Sequence, residues 1–176
     1  MKKWIMAVMM AMFAVSATAD VTPTAQKWID GNWLTVERYG DPNDAVGAQA
    51  KAEVLAQQAA YTAAKKINDV DGMVKNALTT SAAGWAYQNA GYRLILKIAQ
   101  PAVGDPYSQE SLDKATAAKE WLQKAIDYVN AAPTEGITDA QKKGRSDVLK
   151  MADKNMLYAR RVLGEIPWPK EDKNHE

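Results

Sequence analysis

Few side chains in this sequence are able to do acid–base, nucleophilic or metal chemistry, and their types exclude more than they allow. There is no cysteine, and the single histidine, His175, stands next to the C-terminal residue. Serine–histidine–carboxylate catalysis, histidine-ligated haem and zinc sites built from thiolates or several histidines have no residues to use. Di-iron carboxylate bundles need Glu-x-x-His on two helices, and no such motif occurs. Carboxylates remain. Glu37, Glu53, Asp69, Asp71, Asp105, Glu110, Glu120 and Asp153 are candidates for acid–base work, but no spacing singles out a pair. Asn68-Asp69-Val70-Asp71-Gly72 has the flavour of a calcium loop. Setting Gly72 at the invariant glycine of that loop puts Ile67 and Leu78 at its first and last positions, where oxygen ligands are needed. The stretch reads instead as a helix-to-helix turn with an Asx cap. The expectation is a protein with no cofactor, no metal and no catalytic residues.

The polar–aromatic residues carry a different possibility. Trp85, Asn89 and Tyr92 fall along one expected helix, and Trp121 and Tyr128 along the next. The members of each ring pair are seven residues apart, two turns along one helical face. Arg93 and Lys97 flank the first pair, and Lys124 lies within the second. Two such faces meeting around a cleft would hold a planar or sugar-like ligand by stacking and by hydrogen bonds from the ring tips. The same faces closed on each other make an amphipathic seam of the core. Trp168, in Ile166-Pro167-Trp168-Pro169, is held extended by its prolines. It either docks back on the bundle as a plug or is offered to a partner. Trp85, Asn89, Tyr92, Arg93, Trp121, Tyr128 and Trp168 form the candidate set for ligand or partner binding.

Helices must position these residues. The sequence after the leader is rich in alanine, shows helical spacing almost throughout, and has no sustained alternation with period two. Capping residues followed by proline, at Thr22-Pro23, Asp41-Pro42 and Asp105-Pro106, mark starts, and Thr138-Asp139-Ala140-Gln141 reads as a capping box. Five helices are expected, over residues 23–38, 43–67, 70–100, 109–132 and 139–163. In the second the apolar stripe is Ala45, Ala48, Ala52, Leu55, Ala59, Ala63 and Ile67. In the third it is Val74, Leu78, Ser81, Trp85, Tyr92 and Leu96, widened by Leu94, Ile95 and Ile98. Gly84 and Gly91 share a face within that helix. Each glycine costs a helix about 1 kcal/mol relative to alanine, so the pair predicts a close neighbouring backbone. The links are short and polar, which favours an all-α antiparallel bundle or stacked helical hairpins.

The stretch from Trp85 through Ala90-Gly91-Tyr92, followed by Ala118, Leu122, Ala125 and Pro133, resembles a tetratricopeptide-type helical hairpin over residues 80–133. In that family a small pair in the first helix admits the second, whose alanine and large apolar residue fill the gap. Both helices here are longer than a repeat unit of about 34 residues allows. The resemblance implies a scaffold that binds peptides or protein segments, and it assigns no site residue.

The address is written in residues 1–19. Met1-Lys2-Lys3 is a cationic head, Trp4 to Val15 an apolar run too short to span a bilayer, and Ala17-Thr18-Ala19 a small-x-small cleavage signal before Asp20. A bacterial-type secretory signal peptide cleaved between Ala19 and Asp20 is expected, with a periplasmic or secreted product and no membrane anchor. Residues 20–169 are expected to form a single domain and residues 170–176 a charged tail. Removing Lys2 and Lys3 from the 22 basic residues leaves 20 against 21 acidic ones, a charge of −1. That balance offers no footprint for nucleic acid or for an anionic membrane surface. The function expected is that of an exported, non-catalytic protein-binding or scaffold module whose partner is another exported or envelope protein. The alternative is a small-ligand-binding bundle with an aromatic cleft between the third and fourth helices, and a carboxylate enzyme ranks behind both. N-terminal sequencing of the exported protein is expected to begin at Asp20; a mature chain beginning at Met1 would overturn the export reading.

Overall fold

A computed structural model describes residues 45–169, with side chains described from residue 51. The expected first helix, the leader and the residue 170–176 tail lie outside that range. Five helices follow one another in the described residues, with no strand: α1 (Ala45–Lys66), α2 (Val70–Lys75), α3 (Thr80–Ile95), α4 (Gln109–Ala131) and α5 (Asp139–Val162). Among the described residues no helix is long and apolar enough to cross a membrane.

Caps set most of these boundaries. Asp69 Oδ1 accepts from the Gly72 N–H at 2.9 Å and starts α2, the turn that Asn68-Asp69 was expected to make. The expected long third helix is broken. Thr79 takes extended backbone and its hydroxyl accepts from the Ala82 N–H at 3.1 Å, so α3 starts afresh three residues after α2 has been capped by Asn76. The break has a local cause, since a β-branched hydroxyl residue competes well for a free helix N–H. Ser108, rather than Asp105, caps α4, with its Oγ accepting from Ser111 at 3.3 Å. At α5 the capping box is complete: Thr138 Oγ1 accepts from the Gln141 N–H at 3.2 Å, and Gln141 Oε1 accepts from the Thr138 N–H at 2.7 Å. That helix ends in a Schellman motif at Gly164, φ +72°. The Gly164 N–H donates to Arg161 and the Glu165 N–H to Arg160.

Helices α3, α4 and α5 share one core. Its buried centre is Ile95, Ala115, Ala118, Leu122, Ala125, Val129, Val148, Ala152 and Val162. The glycines of α3 reveal the directions. A methyl group on Gly84 would sit 2.8 Å from Val129 and 2.9 Å from Val148, and one on Gly91 would sit 2.7 Å from Leu122 and 2.9 Å from the Ala118 carbonyl oxygen. Moving forward along α3 therefore moves backward along α4, and the two are antiparallel. Ser81 meets Gly144, and Gly84 meets Val148, so α3 and α5 run parallel. Helix α1 joins through α2 and the start of α3. Gln57 donates to the Ala77 carbonyl at 3.4 Å, the Tyr61 hydroxyl donates to the Ala82 carbonyl at 3.5 Å, and Ala64 packs with Met73 and Ala86.

The expected face of α1 is wrong, and that of the expected third helix holds only in part, with Leu78, Ile95 and Ile98 buried as expected. In α1 the buried residues are Val54 and Ala64, while Ala52, Leu55, Ala59 and Ala63 are exposed and Ile67 is 75% exposed. In α3 the buried face is Ala83, Gly84, Ala86, Gln88, Gly91 and Ile95; Leu96 is 65% exposed and Tyr92 also faces water. In α3 small residues hold the contact because they allow the backbones to approach. Gly91→Ala is expected to lower the melting temperature, by a cost of about 1–3 kcal/mol for over-packing, although alanine favours a helix by about 1 kcal/mol. Thermal denaturation checks this, and a stabilised variant would remove the close contact.

Candidate functional site

Helical geometry decides which ring of α3 reaches α4. Gly91 marks the α4-facing side, and Tyr87 lies four residues before it, close to the same face at 3.6 residues per turn. Trp85 and Tyr92 are turned away from that line. The outcome is an aromatic ledge built from Tyr87, Trp121 and Tyr128. Tyr87 stacks on Trp121 with centroids 6.0 Å apart and planes at 26°, and meets Tyr128 edge-on at 5.9 Å and 65°. Lys124 holds its ammonium 4.3 Å from the Trp121 ring centre, in cation–π range. Tyr87 and Trp121 are half-buried against the core, whereas Tyr128 is 40% exposed. Burial, then the nearby Asp71 carboxylate, then Tyr128 hold the Tyr87 phenol above its usual range.

Of the seven expected residues, the structure brings Trp121 and Tyr128 together on this ledge. Trp85 is half-buried and packs on the three-helix core. Asn89 and Tyr92 are exposed on α3. Arg93 is committed elsewhere: its guanidinium donates to Asn68 Oδ1 and ties α3 to the α1–α2 turn, where Asn68 has φ +57°. Trp168 returns to α5. Its ring meets Tyr158 edge-on at 5.5 Å and 82°, and the Arg161 guanidinium carbon lies 5.8 Å from its centre. Tyr87 was missed because the reading followed pairs seven apart. Its signal was its place one turn from Gly91.

Arg145 was also missed. From the first turns of α5 it donates to the carbonyls of Pro133 at 2.5 Å and Ala132 at 3.5 Å, and to Thr80 Oγ1 at 3.2 Å. One guanidinium thus serves the free carbonyl end of α4 and the start of α3. The carboxylates are dispersed. Asp69 is a cap, Glu110 pairs with Lys114 at 2.5 Å, and Asp147 pairs with Lys143 at 2.6 Å. Glu165 bridges Lys119 and Arg160, and the Lys119 hydrogen bond leads in holding its carboxyl below the usual range. Among the described residues no group of three or more histidine, aspartate or glutamate side chains is placed to hold a metal ion.

Comparison of the chain with known protein families, with curated proteins and with solved structures returns no match.

Two outcomes are expected at these contacts. A double-mutant cycle of Tyr87→Ala and Tyr128→Ala should give a coupling of about 0.5–1.5 kcal/mol for an aromatic pair; additive losses would mean that the two rings do not interact. For Glu165, the folded state holds the carboxyl ionised to lower pH than the unfolded state does. Its contribution is therefore present above the ordinary carboxylate pKa and is lost as pH falls through the folded value. Glu165→Gln should flatten the acid limb of melting temperature against pH; an unchanged limb would show that the bridge adds nothing.

Proposed function

We propose that this protein is an exported helical module that binds another exported or envelope protein and catalyses no reaction. The observation that carries the reading is the form of the ledge formed by Tyr87, Trp121 and Tyr128. It lies at the surface of the α3–α4 pair, with Tyr128 substantially exposed and the Lys124 ammonium beside the Trp121 ring. Aromatic groups that are half-embedded in a rigid helical frame make good anchors for a partner, because little side-chain entropy is lost on contact.

A small planar ligand is the second reading, and the ledge favours it less. Tyr87 and Lys124 already engage the π surface of Trp121, so a stacking ligand would have to displace one of them. A partner protein gains area from the Tyr128 side without that displacement. The export half of the proposal rests on residues 1–19, with their cationic head, apolar run and Ala17-Thr18-Ala19.

Photo-crosslinking tests the binding reading. A benzophenone side chain in place of Tyr128, in protein exported with its own leader, should give a discrete adduct with an envelope protein. Trp121→Ala should reduce that adduct several-fold while the far-UV circular dichroism spectrum stays helical. An adduct indifferent to Trp121, or none at all, would overturn the ledge as a binding surface.

A further inference from the structure

Residues 164–169 form a short strap whose root and tip are both fastened. At the root, the Schellman turn directs the chain back from α5, and the Glu165 carboxylate accepts from Lys119 of α4 and from Arg160 of α5. At the tip, Trp168 lies edge-on to Tyr158 and beside Arg161. The receiving ring is itself fixed. Gln100 donates to the Tyr158 hydroxyl, and the Tyr107 hydroxyl donates to Gln100 Oε1 at 3.1 Å. Tyr158 is therefore held by the turn between α3 and α4, independently of the strap. Burial first, then the nearby Tyr158, hold the Tyr107 phenol above its usual range.

The tip is held less firmly than the site that receives it. Trp168 remains 44% exposed, and Pro167 and Pro169 on either side are exposed as well. Arg161 Nε is buried and has no hydrogen-bond partner among the described residues, so this guanidinium is not committed to a carboxylate there through that atom. The groups that make the contact are a ring set perpendicular to the indole and a cation, both of which suit an indole. Proline on each side keeps the segment extended before it docks, which lowers the entropy lost on docking.

We infer that the face of α5 around Tyr158 and Arg161 is a recognition slot for a tryptophan carried on a proline-flanked, extended segment of a partner protein, and that Trp168 fills it in cis as a releasable self-ligand. The slot is separate from the ledge at Tyr87 and does not depend on it. A tethered ligand this close has a millimolar effective concentration, so a competing segment must bind better or be presented in multiple copies. The strap thus sets a threshold for binding.

The test uses the full chain and a fluorescently labelled synthetic peptide, Gly-Glu-Ile-Pro-Trp-Pro-Lys, the sequence of residues 164–170. Fluorescence anisotropy should show saturable binding to the Trp168→Ala chain and about tenfold weaker binding to the intact chain. The same peptide with alanine for its tryptophan should not bind. Tyr158→Ala added to Trp168→Ala should abolish binding, and Arg161→Gln should weaken it about threefold, serving as the readout should Tyr158→Ala not fold. Absence of binding to the Trp168→Ala chain up to millimolar peptide would overturn the slot, and equal binding to both chains would overturn cis occupancy. A concentration-dependent dimer of the intact chain that disappears in Trp168→Ala would assign the slot to the strap of a second copy and overturn the proposal as stated.

Discussion

At Gly91 the backbone of α3 comes so near α4 that a single added methyl would fall 2.7 Å from Leu122 and 2.9 Å from a backbone oxygen. Two turns earlier, Gly84 does the same against Val129 and Val148. These two positions set the spacing of the three-helix core. With the backbones this close, the rest of the interface must be small, and it is: Ala115, Ala118, Ala125 and Ala152 are fully buried, with Leu122 and the valines filling what remains. The large side chains of α3 are displaced to the flanks of this seam. That displacement brings Tyr87 to the edge of α4 and leaves Tyr92 and Leu96 in water. The ledge is thus a by-product of close packing, in which rings that cannot enter the seam are arranged along its margin.

Polar groups finish what the small residues begin. The antiparallel arrangement of α4 and α5 leaves the carbonyl end of α4 beside the amino end of α5, and Arg145 spans the gap from Ala132 and Pro133 to Thr80. A lysine at that position would provide one point charge in place of a fork that serves three acceptors. Gln88, 1% exposed, and Asn155 lie within the core, where an amide is costly unless hydrogen-bonded, and Gln88 Oε1 and Asn155 Nδ2 have no partner among the described residues. At the other end of the bundle, Gln100 joins Tyr107 to Tyr158, and Ser111 donates to the Ala99 carbonyl at 3.4 Å. The two ends of the core are therefore closed by side-chain hydrogen bonds.

What the sequence disclosed, and what it did not, follows from how each signal arises. Caps are local, so the Thr138 capping box and the Asx turn at Asp69 were readable from a few neighbouring residues. Ala118, Leu122 and Ala125 of α4 were readable because that helix buries one conventional face. The faces of α1 and α3 were misread because alanine and glycine carry little hydropathy signal, and a seven-residue spacing of large side chains drew attention to the wrong side. Trp85 and Tyr92 fit that spacing, yet Tyr87 makes the ring contacts with α4. Arg93 was legible as a cation near rings, but its acceptor, Asn68, lies 25 residues away and only the fold reveals it. The tetratricopeptide-like pattern located a real contact, since Gly91 does admit Ala118 and Leu122. Small-against-large contact is common to antiparallel helix pairs, so the pattern speaks to packing and leaves lineage open.

The order of the helices bears on how quickly the bundle assembles. Each of α3, α4 and α5 packs on the helix next to it in the chain, and the pairing of α3 with α5, sampled by Arg145 and Thr80 at a separation of 65 residues, closes the set. Most ordering therefore occurs between segments that a short loop already holds together, and little loop-closure entropy is lost before contacts form. Chains of this kind fold in microseconds to milliseconds. A chain that starts unfolded would thus bury its alanine seam early, with the rings left along its margin.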